Sequence, residues 1–287
     1  MLYDIVKQEK TVQPNRTCRM LDIPVTSYKY WINHKKTKTF NQKLLKEIQR
    51  IIIEFPGYGY RRVTKSLPEE LRVNHKVVRK VMKENGLLCK KRKIFKPQTT
   101  DSNHCHPIAP NLVKGLTPKS VNEIWVSDIT YISLRKGFVY LAVVMDRFSR
   151  KCVGWSLSKN IDSQLTVDAL TVALNARQGQ CLDGLIHHSD RGSQYASNEY
   201  TDLLRRYGIL VSMSAKGNPY DNAFAESFIK TIKAEAVYLN EYETFDDALE
   251  DIEHFIEEVY NKKRLHSSVG HMPPDEFEQK ILKEVGA

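Results

Sequence analysis

An α/β unit preceded by all-α units is predicted by three observations. Beyond Glu123, three runs with strand character, Trp125 to Ser133, Phe138 to Asp146 and Lys151 to Ser158, are joined by the short connections Leu134 to Gly137 and Arg147 to Arg150. Connections that short allow only an antiparallel meander. Helix and strand patterns alternate after it, whereas every periodic segment before it is helical. Charge divides in the same place. Residues 1 to 120 hold 26 Lys and Arg against 9 Asp and Glu, net +17, and residues 121 to 287 hold 18 against 25, net −7. A basic half of that size points to a polyanion partner, and nucleic acid is the obvious one.

Taken in order, Asn15 to Leu21 and Val25 to His34 read as two short helices around Asp22-Ile23-Pro24, the spacing of a helix-turn-helix. Thr26, Ser27, Lys29 and Tyr30 are expected to face DNA, with Tyr28, Trp31 and Ile32 packed inward. A plain helical hairpin fits the same pattern. A second three-helix unit follows. Leu44, Leu45, Ile48, Ile51 and Ile52 give Asn41 to Phe55 a helical period, stopped by Pro56-Gly57. Gly59 to Leu71 opens with Tyr60-Arg61-Arg62. Asn74 caps His75 to Asn85, and Gly86 closes it. That third helix is expected to bury Val77, Val78, Val81 and Met82 and to present Lys76, Arg79, Lys80 and Lys83. The run Lys90-Lys91-Arg92-Lys93 directly after it favours phosphate contact. Lys96 to Val121 loses periodicity, gathers four prolines and reads as a linker.

The apolar run Phe138 to Asp146 suits a central strand. After the meander come a helix (Ser163 to Arg177), a strand (Gly184 to Ser189), a helix (Asn198 to Tyr207) and a strand (Leu210 to Met213). Next is the helix Asn218 to Glu235, and last an acidic amphipathic helix, Thr244 to Tyr260. Three antiparallel strands followed by this alternation describe an RNase H-like fold, a mixed five-stranded sheet with helices. The expected domains are 1–40, 41–95, the linker 96–121, a catalytic core at 122–240 and a helical extension at 241–287.

Composition removes several function classes. No apolar run approaches 18 residues and no signal peptide precedes the fold, so a soluble, cytoplasmic protein without membrane contact is expected. Five scattered cysteines without a CxxC argue against disulfides and a cysteine zinc site. His104-Cys105-His106 offers no partner pair for tetrahedral zinc.

The chemistry is expected from carboxylates. In this fold the first and fourth strands lie side by side, which brings Asp128 and Asp190 together, and Glu226 arrives from the helix after the fifth strand. An Asp amid apolar strand residues is costly without a cation. All-oxygen ligation suits Mg²⁺ or Mn²⁺, and two such ions would serve in-line phosphoryl transfer. At 100° per residue Glu226, Lys230 and Lys233 share one helix face and Glu235 points away. An ordinary i, i+4 ion pair on a solvated helix is the plainer reading of Glu226 and Lys230. His187 and His188 are expected to pack or to position a phosphate rather than to bind a metal, and Asp146 to serve a turn. Gln194, Tyr195, Asn218, Tyr220 and Asn222 are candidate substrate contacts.

The segments WVSDITYI around Asp128, HHSDRGSQY around Asp190, NPYDNAFAESFIKTIKAE around Glu226 and YNKKRLHSSVGHMPPDEF from Tyr260 carry a resemblance. They resemble the OrfB catalytic subunit of insertion-sequence-three transposases, relatives of retroviral integrases. PGYGYRR, with Arg61 and Arg62, resembles the DNA-binding region of that family, and Lys233 matches its basic position after the third acid. The resemblance implies a DDE transposase that binds element ends, cleaves DNA to a 3′-OH and transfers the strand. It also implies double-stranded DNA as partner, a homo-oligomer on DNA, a nucleoid association, and an upstream OrfA subunit or fusion. Retroviral integrases carry a His/Cys zinc module where this chain has helical units. A nuclease that stops at hydrolysis and a regulator using only residues 1 to 95 are the alternatives, and the intact acid triad speaks against the second.

Overall fold

The computed structural model describes residues 18–19, 22–88, 107–215 and 222–285, without the side chains of residues 28, 31–39 and 285. The chain divides into two compact units between Lys90 and Lys91.

In the first unit, α1 spans Val25–Glu54, α2 Tyr60–Ser66 and α3 His75–Glu84. The expected break near residue 40 is absent, and α1 runs through it for 30 residues. The reason is visible in the residues: no Pro or Gly stands between Val25 and Phe55, and nothing there caps a helix end. Leu44, Ile48 and Ile51 are buried from α1, Val63 from α2, and Val78 and Met82 from α3. Val77, expected inside, is 41% exposed. α2 ends at Ser66, before Pro68, and a 3₁₀ turn at Glu69–Leu71 completes the segment expected to be one helix. The Asn74 side chain caps α3 by accepting from the Lys76 N–H at 2.9 Å. Phe55 stacks on Tyr58 with centroids 4.5 Å apart, fixing the turn after α1.

In the second unit a five-stranded sheet has the order β3-β2-β1-β4-β5. Its strands are β1 Ile124–Ser133, β2 Phe138–Asp146, β3 Cys152–Ser158, β4 Ile186–Ser189 and β5 Leu210–Met213. The first three form the expected antiparallel meander, and β4 and β5 pair in parallel beyond β1. Helices α4 (Ser163–Ala176), α5 (Ser193–Ala196) and α6 (Asn198–Arg206) cover one face. The other is covered by α7 (Ala223–Ile232), α8 (Phe245–His254) and the π-helical turns that continue them, Lys233–Val237 and Phe255–Tyr260. Strand periodicity divides the core accordingly. Ile124, Val126 and Ile132 of β1 pack toward α7 and α8, whereas Trp125 packs toward α4 and α6. Asp128 has the parity of the first set and so faces α7.

Two expected boundaries change. Residues 107–121 are not a free linker: Pro110 accepts from the Met213 N–H, the Leu112 N–H donates to Ser212 Oγ at 2.9 Å, and Val113 is buried. The exposed edge of β5 explains this, because its backbone groups need partners. Residues 241–285 are likewise part of the core. Ile252, Phe255, Ile256 and Tyr260 share one apolar cluster with β1 and β2. Helix α9, Pro274–Val285, was not expected; Pro274 occupies its first position, where a missing N–H costs nothing.

The C-terminal segment is tied down by three polar contacts. The Asn261 side chain pairs with both backbone groups of Cys152, each at 3.0 Å. Arg264 donates to both oxygens of Glu235 at 2.7 Å, a buried fork. Arg177 of α4 donates likewise to Glu278 of α9 at 2.9 and 2.6 Å, and the Ser149 hydroxyl joins at 2.6 Å.

Gly154 lets β3 approach α4. A Cβ there would lie 2.6 Å from the Ala173 N and 2.7 Å from its Cβ, and would also strike the Ala169 carbonyl oxygen. Gly154→Ala should therefore destabilise the second unit by about 1–3 kcal/mol, as overpacking does. Urea unfolding measures this, and an unchanged midpoint would show that the strand and helix can part without cost.

Candidate active site

Strand β1 is bonded in parallel to β4 with Val126 opposite His188. Asp128 and Asp190 each stand two residues beyond that pair, at neighbouring positions where the two strands leave the ladder. Their orientations are set by backbone: Asp128 Oδ1 accepts from the Ile129 N–H and Asp190 Oδ1 from the Gly192 N–H, both at 2.9 Å. Gly192 is needed close by, since a Cβ there would meet Asp190 Oδ1 at 3.1 Å and Gln194 Oε1 at 2.9 Å. Helix α7 delivers Glu226. The α7 N-terminus is stitched to β1 by Asn222, whose side-chain amide donates to the Ser127 carbonyl at 2.9 Å. Asn222 therefore serves as a tie between helix and strand and is buried, not open to substrate.

Both other acids act on Asp128. The Asp128 carboxyl is pushed up to about 8, first by burial, then by the Asp190 charge, with Glu226 adding to it. Lys233 opposes that shift. Its ammonium stands 4.2 Å from the Tyr131 ring centroid, half-buried, and burial lowers its pKa while the Asp128 charge raises it. Glu226 accepts from Lys230 at 3.2 Å, so the ordinary i, i+4 pair is present on the same face. As the side chains stand, among the described residues no three His, Cys, Asp or Glu are gathered to hold a metal ion. The exposed Lys230–Glu226 pair is worth under about 1 kcal/mol, a weak hold on that carboxylate. The donor set is all oxygen, and mutual repulsion among its members is what a hard dication would relieve. The residues fit such an ion.

The neighbours sort clearly. His187 is buried, with Nε2 2.7 Å from Ser127 Oγ and 2.9 Å from the Tyr200 hydroxyl, and burial lowers its pKa to about 3. His188 is buried between Ser212 and Ser214 at 2.8 and 3.1 Å. Both pack, as expected. Asp146 is a turn residue, accepting from the backbone N–H groups of Asn122, Phe148 and Ser149. Tyr195 is 2% exposed and belongs to the core. Gln194 donates to the Ile161 carbonyl at 3.3 Å. Asn218 and Tyr220 lie outside the described residues. Glu235, expected to point away from Glu226, does so and meets Arg264.

In the first unit Lys29, Arg61, Lys76, Arg79, Lys80 and Lys83 are exposed and Arg62 is partly so. Tyr60 gathers two of them, with the guanidinium carbons of Arg61 and Arg79 each 5.8 Å from its centroid. Arg62 stands 5.6 Å from Tyr58, and Lys80 is 3.9 Å from Glu84. Lys91 and Arg92 lie outside the described residues. Among the described residues no helix is long and apolar enough to cross a membrane.

Comparison with known proteins agrees with this architecture. Residues 118–219 and 207–274 match the integrase core domain, and residues 39–95 match an HTH-like domain. The transposase for insertion sequence element IS904 of Lactococcus lactis is 38% identical over 247 residues, 85% of this chain and 96% of the relative. The insertion element IS600 uncharacterized 31 kDa protein of Shigella sonnei is 35% identical over 268 residues, 92% of this chain and 97% of the relative. Transposase InsF for insertion sequence IS3A of Escherichia coli K12 is 32% identical over 285 residues, 97% and 98% of the two chains. Among solved structures, the catalytic core domain of HTLV-2 integrase in complex with magnesium is similar at 20% identity. It covers 56% of this chain and 99% of that one, with a TM-score of 0.43. With an integrase core behind an HTH-like domain and 32–38% identity over 85–97% of its length to these relatives, the chain belongs to the IS3 family of insertion-sequence transposases, DDE-type polynucleotidyl transferases.

Proposed function

We propose that Asp128, Asp190 and Glu226 are the catalytic acids of this transposase, which cleaves DNA at the element ends to leave a 3′-OH and joins that hydroxyl to a target phosphodiester. What supports this reading is that Asp128 and Asp190 each follow by two residues a paired position of β1 and β4, and that the Asp190 and Glu226 charges both act on Asp128. Two Mg²⁺ or Mn²⁺ ions bound to these acids would activate the attacking oxygen and stabilise the leaving one. The chain's own residues do the rest. The Ile129 and Gly192 N–H groups hold two carboxylates in orientation, and the Asn222 tie holds the third at its distance. Lys233 is positioned to meet a phosphate near the scissile bond, its ammonium fixed over Tyr131. Lys230 pairs with Glu226 at 3.2 Å, and a cation held by the acids would take its place.

The first unit supplies sequence-independent and sequence-reading contacts. Lys29, Arg61, Arg62, Lys76, Arg79, Lys80 and Lys83, with Lys91 and Arg92 beyond them, would neutralise phosphates of double-stranded DNA at the terminal inverted repeats and the target. A homo-oligomer on DNA, with or without an upstream OrfA subunit, would bring two ends together.

Three outcomes test the reading. Asp128→Asn, Asp190→Asn and Glu226→Gln should each abolish cleavage and strand transfer of labelled element ends while end binding stays within a few-fold. If Glu226→Gln retains activity and Glu235→Gln loses it without unfolding, the third acid is misassigned. Hydrolysis without joining would favour the nuclease alternative.

The metal-free protein should show the Asp128 proton in its stability. The unfolded carboxyl ionises near 3.8 and the folded one at about 8, so between these values the folded state binds the extra proton. Stability therefore falls as pH rises from about 4 to about 8 and levels off above. Asp128→Asn should flatten that decline, and Mg²⁺ at pH 8 should raise the melting temperature of the wild type but not of the variant. A variant with the wild-type pH profile would remove Asp128 as the origin.

Lys233→Ala should slow strand transfer by about tenfold or more and lower the salt slope of end binding by about one. Unchanged transfer and slope together would leave Lys233 a packing residue of the Tyr131 ring.

A further inference from the structure

The turn between β2 and β3 carries two arginines that neither the fold nor the acid cluster uses. The guanidinium carbons of Arg147 and Arg150 lie 4.5 and 4.1 Å from the centroid of one ring, that of Phe224 in the first turn of α7. Each is partly exposed, and each has a buried Nε without a hydrogen-bond partner. Among the described residues neither side chain makes an ion pair.

Among the described residues the chain pairs the guanidiniums that it buries fully. Its buried guanidiniums at Arg177 and Arg264 are each given a glutamate in a two-bond fork. Around the turn the acids are already committed, Asp146 to three backbone N–H groups and Glu278 to Arg177 and Ser149. Burial lowers the pKa of both arginines, and Arg147 lowers that of Arg150 further. The backbone nevertheless holds them there. Arg147 N–H donates to the Ile124 carbonyl at 2.9 Å and Arg150 N–H to the Asp146 carbonyl at 3.0 Å. Arg150 takes a left-handed φ of 69°, a conformation that suits Gly or Asn better than Arg. Two like charges stacked on one ring, partly desolvated and held in no ion pair although Asp146 acts on Arg150, describe a site that waits for an anion. A guanidinium fork matches a phosphate's oxygens.

We propose that Arg147 and Arg150, stacked on Phe224, form a phosphodiester clamp for the DNA that reaches α7, with Glu226 about 200° further round that helix. The clamp rests on the reading of Asp128, Asp190 and Glu226 as the cleavage site.

The experiment uses the full chain, a duplex carrying an element end, and fluorescence anisotropy across a salt series. The R147Q/R150Q double variant should bind about tenfold or more weakly at low salt, with a salt slope smaller by about one to two. R147K/R150K should recover the slope. A Gln variant with a lowered melting temperature but the wild-type slope would overturn the clamp and leave the arginines as a staple on Phe224. Should the double variant fail to fold, phenylglyoxal modification of the wild type is mapped with and without DNA. Protection of both arginines supports the clamp, and equal modification overturns it. Glu226→Gln serves as the separate control: cleavage by that variant overturns the assignment of the acids, while its salt slope, expected to equal that of the wild type, leaves the clamp to be judged on its own.

Discussion

Parallel pairing of β1 with β4 is the constraint on which the catalytic unit depends. It sets two aspartates at adjacent positions where the strands leave their ladder, a placement that no antiparallel meander alone could produce. The arrangement is costly without a cation, because a carboxyl between apolar strand residues and beside a second acid resists ionisation. The sheet tolerates that cost through apolar cores on both of its faces, so the acids sit on a scaffold stabilised elsewhere. Asn222 then fixes how far α7 stands from β1, and with it the reach of Glu226.

The same logic explains the tail. Segments after Tyr260 contribute no acid to the site, yet they hold the elements that do. The Arg264–Glu235 fork anchors the π-helical turn that continues α7, directly after Lys233. The Arg177–Glu278 fork joins α9 to α4 and, through Ser149, to the β2–β3 turn. Buried pairs of this kind add little net stability when whole but leave an uncompensated charge when one partner is lost. Their value here is geometric: each ties a late segment of the chain to the end of a helix that packs on the sheet.

Much of this was legible from residues alone, for identifiable reasons. Short connections and alternation determine a meander, and strand parity carries Asp128 to the face of α7. Helical angles separate Glu226 from Glu235 without any knowledge of Arg264. What escaped was non-local or lacked a local stop signal. Nothing between His34 and Asn41 breaks a helix, so two expected helices are one. Pro273-Pro274 reads as a breaker, although a proline at the first helical position starts α9. Residues 107–121 look like a linker because prolines and lost periodicity hide the hydrogen bonds to β5. Tyr195 and Asn222 looked like substrate contacts because a polar residue beside a catalytic motif has the same appearance whether it faces solvent or a neighbouring carbonyl. The forks at Glu235 and Glu278 join positions far apart in the chain and leave no periodic trace.

The position of those forks has a consequence for the order in which the molecule is made. A ribosome releases the basic helical unit first, the sheet next, and Arg264 and Glu278 near the end. Until Arg264 and Glu278 emerge, the helix bearing Glu226 is held at its start by Asn222 but lacks the fork that anchors the turn continuing it. Loss of either fork would thus leave the β1–α7 tie in place and release the far ends of the helices that frame the sheet.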